Sequence, residues 1–295
     1  MRGARPEREI ERAIETGGII RNGERVLVAC SGGPDSVALA CALQAVAQSM
    51  SLNLALAYVN HGVRASAWQD ECVVLEIAAR YELPLQVFAL EAPARDEQSL
   101  REARYAALLE AARRRNCSVI ATGHHAEDQS ETVLLALLRG AGPDGLRGMR
   151  ARRPLDGGVE LGRPLIGLSS DELRAYCHTR ALPYAIDPTN AQPALRRNAV
   201  REALQALRPL FPGLDEAVAR AASLLSDEQD ETERAHLRRA LRQRLADETE
   251  LRDIDFEHVE AAVRALEDGR TGVFYMKPGV SLRIERDGIR GMKRS

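Results

Sequence analysis

Six consecutive residues, Ser31-Gly32-Gly33-Pro34-Asp35-Ser36, carry the first chemistry in this chain. They follow the apolar run RVLVAC and open the run SVALACALQAVAQS, so they read as the turn between a strand and a buried helix. A turn so placed aims backbone N–H groups at an anion, and the helix N-terminus adds positive potential. The glycines admit oxygen atoms close to the backbone, and Ser31 and Ser36 suit hydrogen bonds to phosphate. The plainer reading is an ordinary glycine-rich turn. It is not a Walker A loop, which needs a lysine, because the first lysine is Lys277; nor does it read GxGxxG.

A second cluster, GHHAEDQSE, spans residues 123–131. His124 and Asp128 are four apart, as are Glu127 and Glu131, so on a helix each pair would share a face. The competing reading is a solvated helix start with caps. A transition metal on HHxxD would lack a further soft ligand nearby. Basic residues gather in three places: Arg101 and Arg104; Arg147, Arg150, Arg152 and Arg153 within a segment, residues 140–158, that holds six glycines; and Arg196, Arg197 and Arg201. Each could be a solvated surface run.

Four β-rich runs, RVLVAC, NLALAYVN, LQVFAL and SVIATG, alternate with helical patterns, and a fifth element lies near VELGRPL. That alternation predicts an α/β fold with an open, mainly parallel, five-stranded doubly wound sheet. Capping boxes are expected at Ser66, Ser99 and Ser169, and Asp35 or Ser36 is expected to cap the first helix. In such sheets ligands bind beyond the carboxyl ends of the strands. The phosphate loop follows strand one, Asn60, His61 and Arg64 follow strand two, and the GHH segment follows strand four. Segment 140–158 is expected to be a mobile basic loop. Two prolines and a glycine within residues 208–213 mark a boundary, giving a domain of 1–210 and a smaller, mostly helical domain of 211–295 with strand-like runs near 273–286.

The formal net charge of 295 residues is −2, which excludes an indiscriminate nucleic-acid coat and leaves any such surface local. Five scattered cysteines form no CxxC pair and read as core thiols of a reducing compartment. The N-terminus offers neither a secretory h-region nor an apolar span, so a cytoplasmic protein with no membrane contact is expected.

With Asp35 and Ser36 included, the loop resembles the SGGxDS fingerprint of the PP-loop, or N-type, ATP pyrophosphatases. YVNHGVR (58–64), REARYAAL (101–108), residues 121–149, RPL (163–165), and DPTN followed by RRNAVR (187–201) together resemble the tRNA(Ile)-lysidine synthase family, in that family's motif order. After RRNAVR the chain departs from the family pattern with Glu202-Ala-Leu. The resemblance implies ATP-dependent ligation of free L-lysine to C2 of the wobble cytidine of a tRNA(Ile) with a CAU anticodon. An adenylated cytidine is the intermediate, with AMP and pyrophosphate released. It implies ATP contacts at Ser31, Gly32, Gly33, Pro34, Asp35, Ser36, Asn60, His61, Arg64 and Arg104, and Mg²⁺ at Asp35, since a hard cation seeks carboxylate oxygen. Asp128 and Glu131 fall to lysine or the reacting centre, and His124 or His125 to phosphate or proton handling. Arg147, Arg150, Arg196, Arg197 and Arg201 fall to tRNA contact, and the C-terminal domain to tRNA binding, packing or dimerisation.

Two other readings stay open. A PP-loop tRNA thiolase would use cysteine pairs, which are absent; an ATP-binding sensor without chemistry would have little need of the acidic second cluster.

Overall fold

The computed structural model describes residues 11, 14–15, 18–60, 67–90, 97–185, 195–229, 240–241, 256–268, 270–277, 280–285 and 288–294. The chain divides into two compact units, residues 1–222 and 223–295.

In the first unit, β1 (Arg25–Ala29), β2 (Asn53–Asn60), β3 (Leu85–Ala89), β4 (Val119–Thr122), β5 (Arg152–Asp156) and β6 (Val159–Gly162) form one sheet in the order β3-β2-β1-β4-β6-β5. All pairings are parallel except β5 with β6. The central strands are apolar runs without polar alternation because helices cover both faces. Successive residues of a strand point to opposite faces. Val26 and Val28 therefore enter one core with Leu56 and Val119, against α1 (Pro34–Val46), α2 (Ala67–Arg80) and α6 (Ser170–Thr179). Leu27 enters the other with Ile120 and Leu161, against α3 (Glu97–Arg115).

The expected parallel strands are thus all present, and the sheet gains a sixth. Strand β5 lies inside the segment expected to be a mobile loop. Gly157 and Gly158, both with positive φ, turn it back onto β6. Its Arg152 then donates to Glu24 (2.7 and 3.1 Å), to the Ile19 carbonyl (2.7 Å) and to Glu160.

Helix starts also differ from expectation in two places. The cap of α1 is Gly33 with Pro34 at the first helical position, not Asp35 or Ser36. Helix α3 begins at Glu97, two residues before Ser99. The box at Ser169 forms with Glu172, whereas Ser66 lies outside the described residues.

The first unit continues through α4 (Ala126–Leu138), the one-turn α5 (Pro143–Leu146) and α7 (Leu195–Leu207) into α8 (Leu214–Gln229), which runs across the division between units. In the second unit α9 (Phe256–Glu267) packs Val259, Ala262 and Val263 against Met276, Leu282 and Ile284. Those belong to an antiparallel sheet of β7 (Gly272–Lys277), β8 (Val280–Glu285) and β9 (Gly288–Arg294). No described helix is long and apolar enough to cross a membrane.

Arg152 is expected to hold the sheet edge. Substitution Arg152→Met leaves Glu24 and Glu160 without their shared cation and should cost roughly 2 kcal/mol in denaturant unfolding. An unchanged midpoint would remove this role.

Candidate active site

The phosphate loop is tied together by Ser36. Its Oγ accepts from the Ser31 N–H (3.1 Å), donates to the Gly33 carbonyl (2.9 Å) and lies 3.2 Å from Ser31 Oγ. Gly32 sits at φ +86°, and a Cβ there would come within 2.7 Å of the Asp70 carbonyl oxygen, so only glycine fits without backbone movement. The Gly32 carbonyl accepts from Ala185 N–H at 2.9 Å, anchoring the loop from the segment after α6.

Beside it lies the end of β4. A Cβ on Gly123 would stand 3.0 Å from the Asp35 backbone, so the missing side chain lets the two loops touch. His125 caps α4, and the Asp128 carboxylate reaches back to accept its N–H at 3.1 Å. The His125 ring bonds Glu127 at 2.8 Å through Nδ1. Its Nε2 lies 3.6 Å from Asp35 and 3.5 Å from Asp128. Glu127 in turn accepts from Ser170 N–H at 2.9 Å.

These neighbours leave one of two adjacent histidines charged and the other neutral. Burial alone would lower His125, but the Glu127 hydrogen bond and the charges of Asp128, Asp35 and Glu127 outweigh it and lift it to about 9. His124 points elsewhere, its Nδ1 at 2.8 Å from the Thr122 hydroxyl; burial, then Arg163, Arg104 and Arg101, push it down to about 3. Burial also raises Asp35, the His125 charge opposing and Asp128 reinforcing the shift. Its Oδ1 is buried with no hydrogen-bond partner.

The structure thus brings together Ser31, Gly32, Gly33, Pro34, Asp35, Ser36, His125 and Asp128. His124 and Asp128 do not share a helix face, because α4 starts at Ala126 and leaves His124 outside it. Glu131, with 5% of its side chain exposed, is held by Arg197 (Nε, 3.0 Å) and Arg201 (Nε, 2.7 Å; Nη2, 3.1 Å), joining α4 to α7. Arg196 is the second residue of α7. Asn60 ends β2, and its carbonyl accepts from Leu90 N–H; His61 and Arg64 lie outside the described residues. Arg104 and Arg101 both lie 5.6 Å from the Tyr105 ring centroid. Arg147 follows α5, and its carbonyl and that of Met149 accept from the Gln129 amide, while Gln129 Oε1 accepts from Met149 N–H at 2.7 Å. The Arg150 carbonyl accepts from the Arg163 guanidinium.

Gln129 and Arg163 carry structural weight that sequence reasoning passed over. The available signals were a glutamine amid the acidic cluster and an arginine closing an apolar strand.

A phosphate loop at the strand-one switch point, with a carboxylate–histidine cluster across from it, defines an ATP-loop site of the doubly wound class. The PP-loop domain family matches residues 4–207, and the chain belongs to that family. Among named relatives, it is 43% identical over 225 residues to the tRNA(Ile)-lysidine synthase of Salinispora arenicola, covering 74% of this chain and 66% of the relative. It is 44% identical over 207 residues to the enzyme of that name from Salinispora tropica, covering 68% and 62%. With Symbiobacterium thermophilum the identity is 38% over 220 residues, covering 72% and 45%. The matched stretch therefore spans from under half to just under two thirds of these relatives' own lengths. A solved structure of the U34-tRNA thiolase NcsA from Methanococcus maripaludis superposes with a TM-score of 0.64 at 20% identity, covering 77% of this chain and 81% of the other, a likeness of fold.

The two histidines give stability opposite slopes on either side of their ordinary value of 6.5. Between about 3 and 6.5 the unfolded chain protonates His124 while the fold does not, so stability falls as pH drops through that window. His125 stays charged in the fold up to about 9, so its contribution is whole below 6.5 and lost as pH rises through 9. Melting temperature of the ligand-free protein should decline from pH 6.5 to 9, with His125→Gln flattening that limb and His124→Gln flattening the acid one. A wild type insensitive to pH above 6.5 would contradict the charged His125.

Proposed function

We propose that this chain is an ATP-dependent ligase joining free lysine to C2 of the wobble cytidine of a tRNA(Ile) with a CAU anticodon. One observation carries the reading: the phosphate loop meets the GHHAEDQSET segment, with His125 3.6 Å from Asp35, in a chain whose named relatives are lysidine synthases.

The chemistry needs activation because a cytosine carbonyl oxygen is a poor leaving group. The C2 oxygen attacks the α-phosphorus of ATP, pyrophosphate departs, and the lysine ε-amine then attacks C2 and expels AMP. Backbone N–H groups of residues 31–36 hold the phosphates, with the N-terminus of α1 behind them. Asp35 fits Mg²⁺: its buried Oδ1 lacks any partner, and a hard cation takes carboxylate oxygen while completing its shell with phosphate and water. Bound there, the ion would offset charge developing on the departing pyrophosphate. The lysine ammonium meets Asp128, which lies beside the same loop, and gives up its proton before attack. Glu131 serves by holding Arg197 and Arg201, leaving those helix-borne cations oriented toward RNA phosphates. The segment 211–295 adds tRNA contact or self-association, and the setting is the cytoplasm.

Incubation with labelled lysine, ATP and a panel of tRNA transcripts tests the reading. Label should enter only the CAU-bearing tRNA(Ile), at the wobble position, with AMP and pyrophosphate formed in step. Equal AMP release with unrelated tRNAs would sink it. Separately, Asp35→Asn should lower pyrophosphate release at least about 100-fold with an unchanged circular dichroism spectrum; full turnover in that variant would overturn the Mg²⁺ assignment.

A further inference from the structure

Arg163 follows β6 at the carboxyl end of the sheet, 2% exposed, and among the described residues no carboxylate pairs with it. One guanidinium nitrogen donates to the Arg150 carbonyl, while Nε is buried with no hydrogen-bond partner. The Tyr105 hydroxyl, from α3, is also buried, makes no hydrogen bond of good geometry, and interacts with the same guanidinium. Around them stand Arg101, Arg104 and the neutral His124, and Arg153 adds further positive charge. Burying a cation costs heavily unless an anion meets it, and this one is ringed by like charge. The arrangement is that of a seat awaiting an oxyanion.

Its place says which oxyanion. Strands β4 and β6 lie on the opposite side of β1 from β2, with β6 two strand spacings, or about 10 Å, from the strand that leads into the phosphate loop. The nucleotide's own phosphates are served by the loop. The acidic cluster at Asp128, suited to an ammonium, opens the helix that follows β4, and β4 pairs directly with β6, so the cluster and the Arg163 guanidinium stand at the ends of neighbouring strands, as the two ends of one amino acid require. Two convergent buried donors, one N–H and one O–H, match the two oxygens of a carboxylate.

We propose that Arg163 and Tyr105 form the floor, and Arg101 and Arg104 the mouth, of a subsite for the α-carboxylate of the amino-acid substrate. The inference rests on the ligase reading above and deepens it by naming what distinguishes an amino acid from a simple amine.

Steady-state kinetics on the full chain with lysine, lysinamide and cadaverine test it, alongside Tyr105→Phe and Arg163→Lys. Tyr105→Phe removes a hydroxyl that meets no carbonyl or carboxylate and only borders the Arg163 guanidinium, so its melting temperature should change little. Its KM for lysine should rise about ten-fold, with the KM values for ATP and tRNA unchanged. Arg163→Lys keeps the charge and loses the fork, and should show a comparable rise. In the wild type both amines lacking the carboxylate should react with KM raised at least as much, and Tyr105→Phe should shrink that gap. A rise in the KM for ATP or tRNA instead would mark a phosphate seat and overturn the proposal, as would wild-type lysine kinetics in Tyr105→Phe. Absence of any lysine-dependent turnover in the wild type would instead remove the ligase reading, and this subsite with it.

Discussion

One imidazolium among three carboxylates holds the phosphate loop and the start of α4 together. Asp35 belongs to the first loop, Glu127 and Asp128 to the start of α4, and at this spacing they repel unless a cation stands between them. His125 is that cation, and it is also the residue that caps α4. A single side chain thus ends one strand–loop segment, starts a helix and neutralises the approach of another loop. Gly123 supplies the room, since any side chain there would press on the Asp35 backbone.

Helix α4 distributes that arrangement outward. Gln129 fastens the chain at Arg147 and Met149 with three hydrogen bonds, and Gly148, at φ +62°, leaves space for its amide. Two residues on, Glu131 engages Arg197 and Arg201. Within three positions the helix therefore fixes a glycine-rich loop and a basic helix, both of which carry the arginines expected to meet RNA.

What the sequence disclosed follows from how local the governing physics is. The runs RVLVA and VIAT announce buried parallel strands by composition alone, and a strand followed by SGGPDS and a helix announces the phosphate loop. The acidic cluster was visible as a group of residues, but not the roles within it. Whether His124 or His125 caps α4 depends on where the helix begins, and across that one-residue difference one ring is charged and the other neutral. The ion pairs of Glu131 span 66 and 70 residues, and those of Arg152 reach back to Glu24 across 128. No periodicity encodes such partners, so the arginines that hold Glu131 were not foreseen and β5 read as a loop.

Strand β5 has a further consequence for the molecule among its neighbours. An open sheet ends in a row of unpaired backbone groups, a template on which another chain can add a strand. Here the outermost strand runs only five residues, shifts register between Pro154 and Asp156, and carries at Pro154 a residue with no N–H to offer. The parallel core, slow to assemble and apolar throughout, is therefore closed on this side by a strand poorly suited to recruit a stranger.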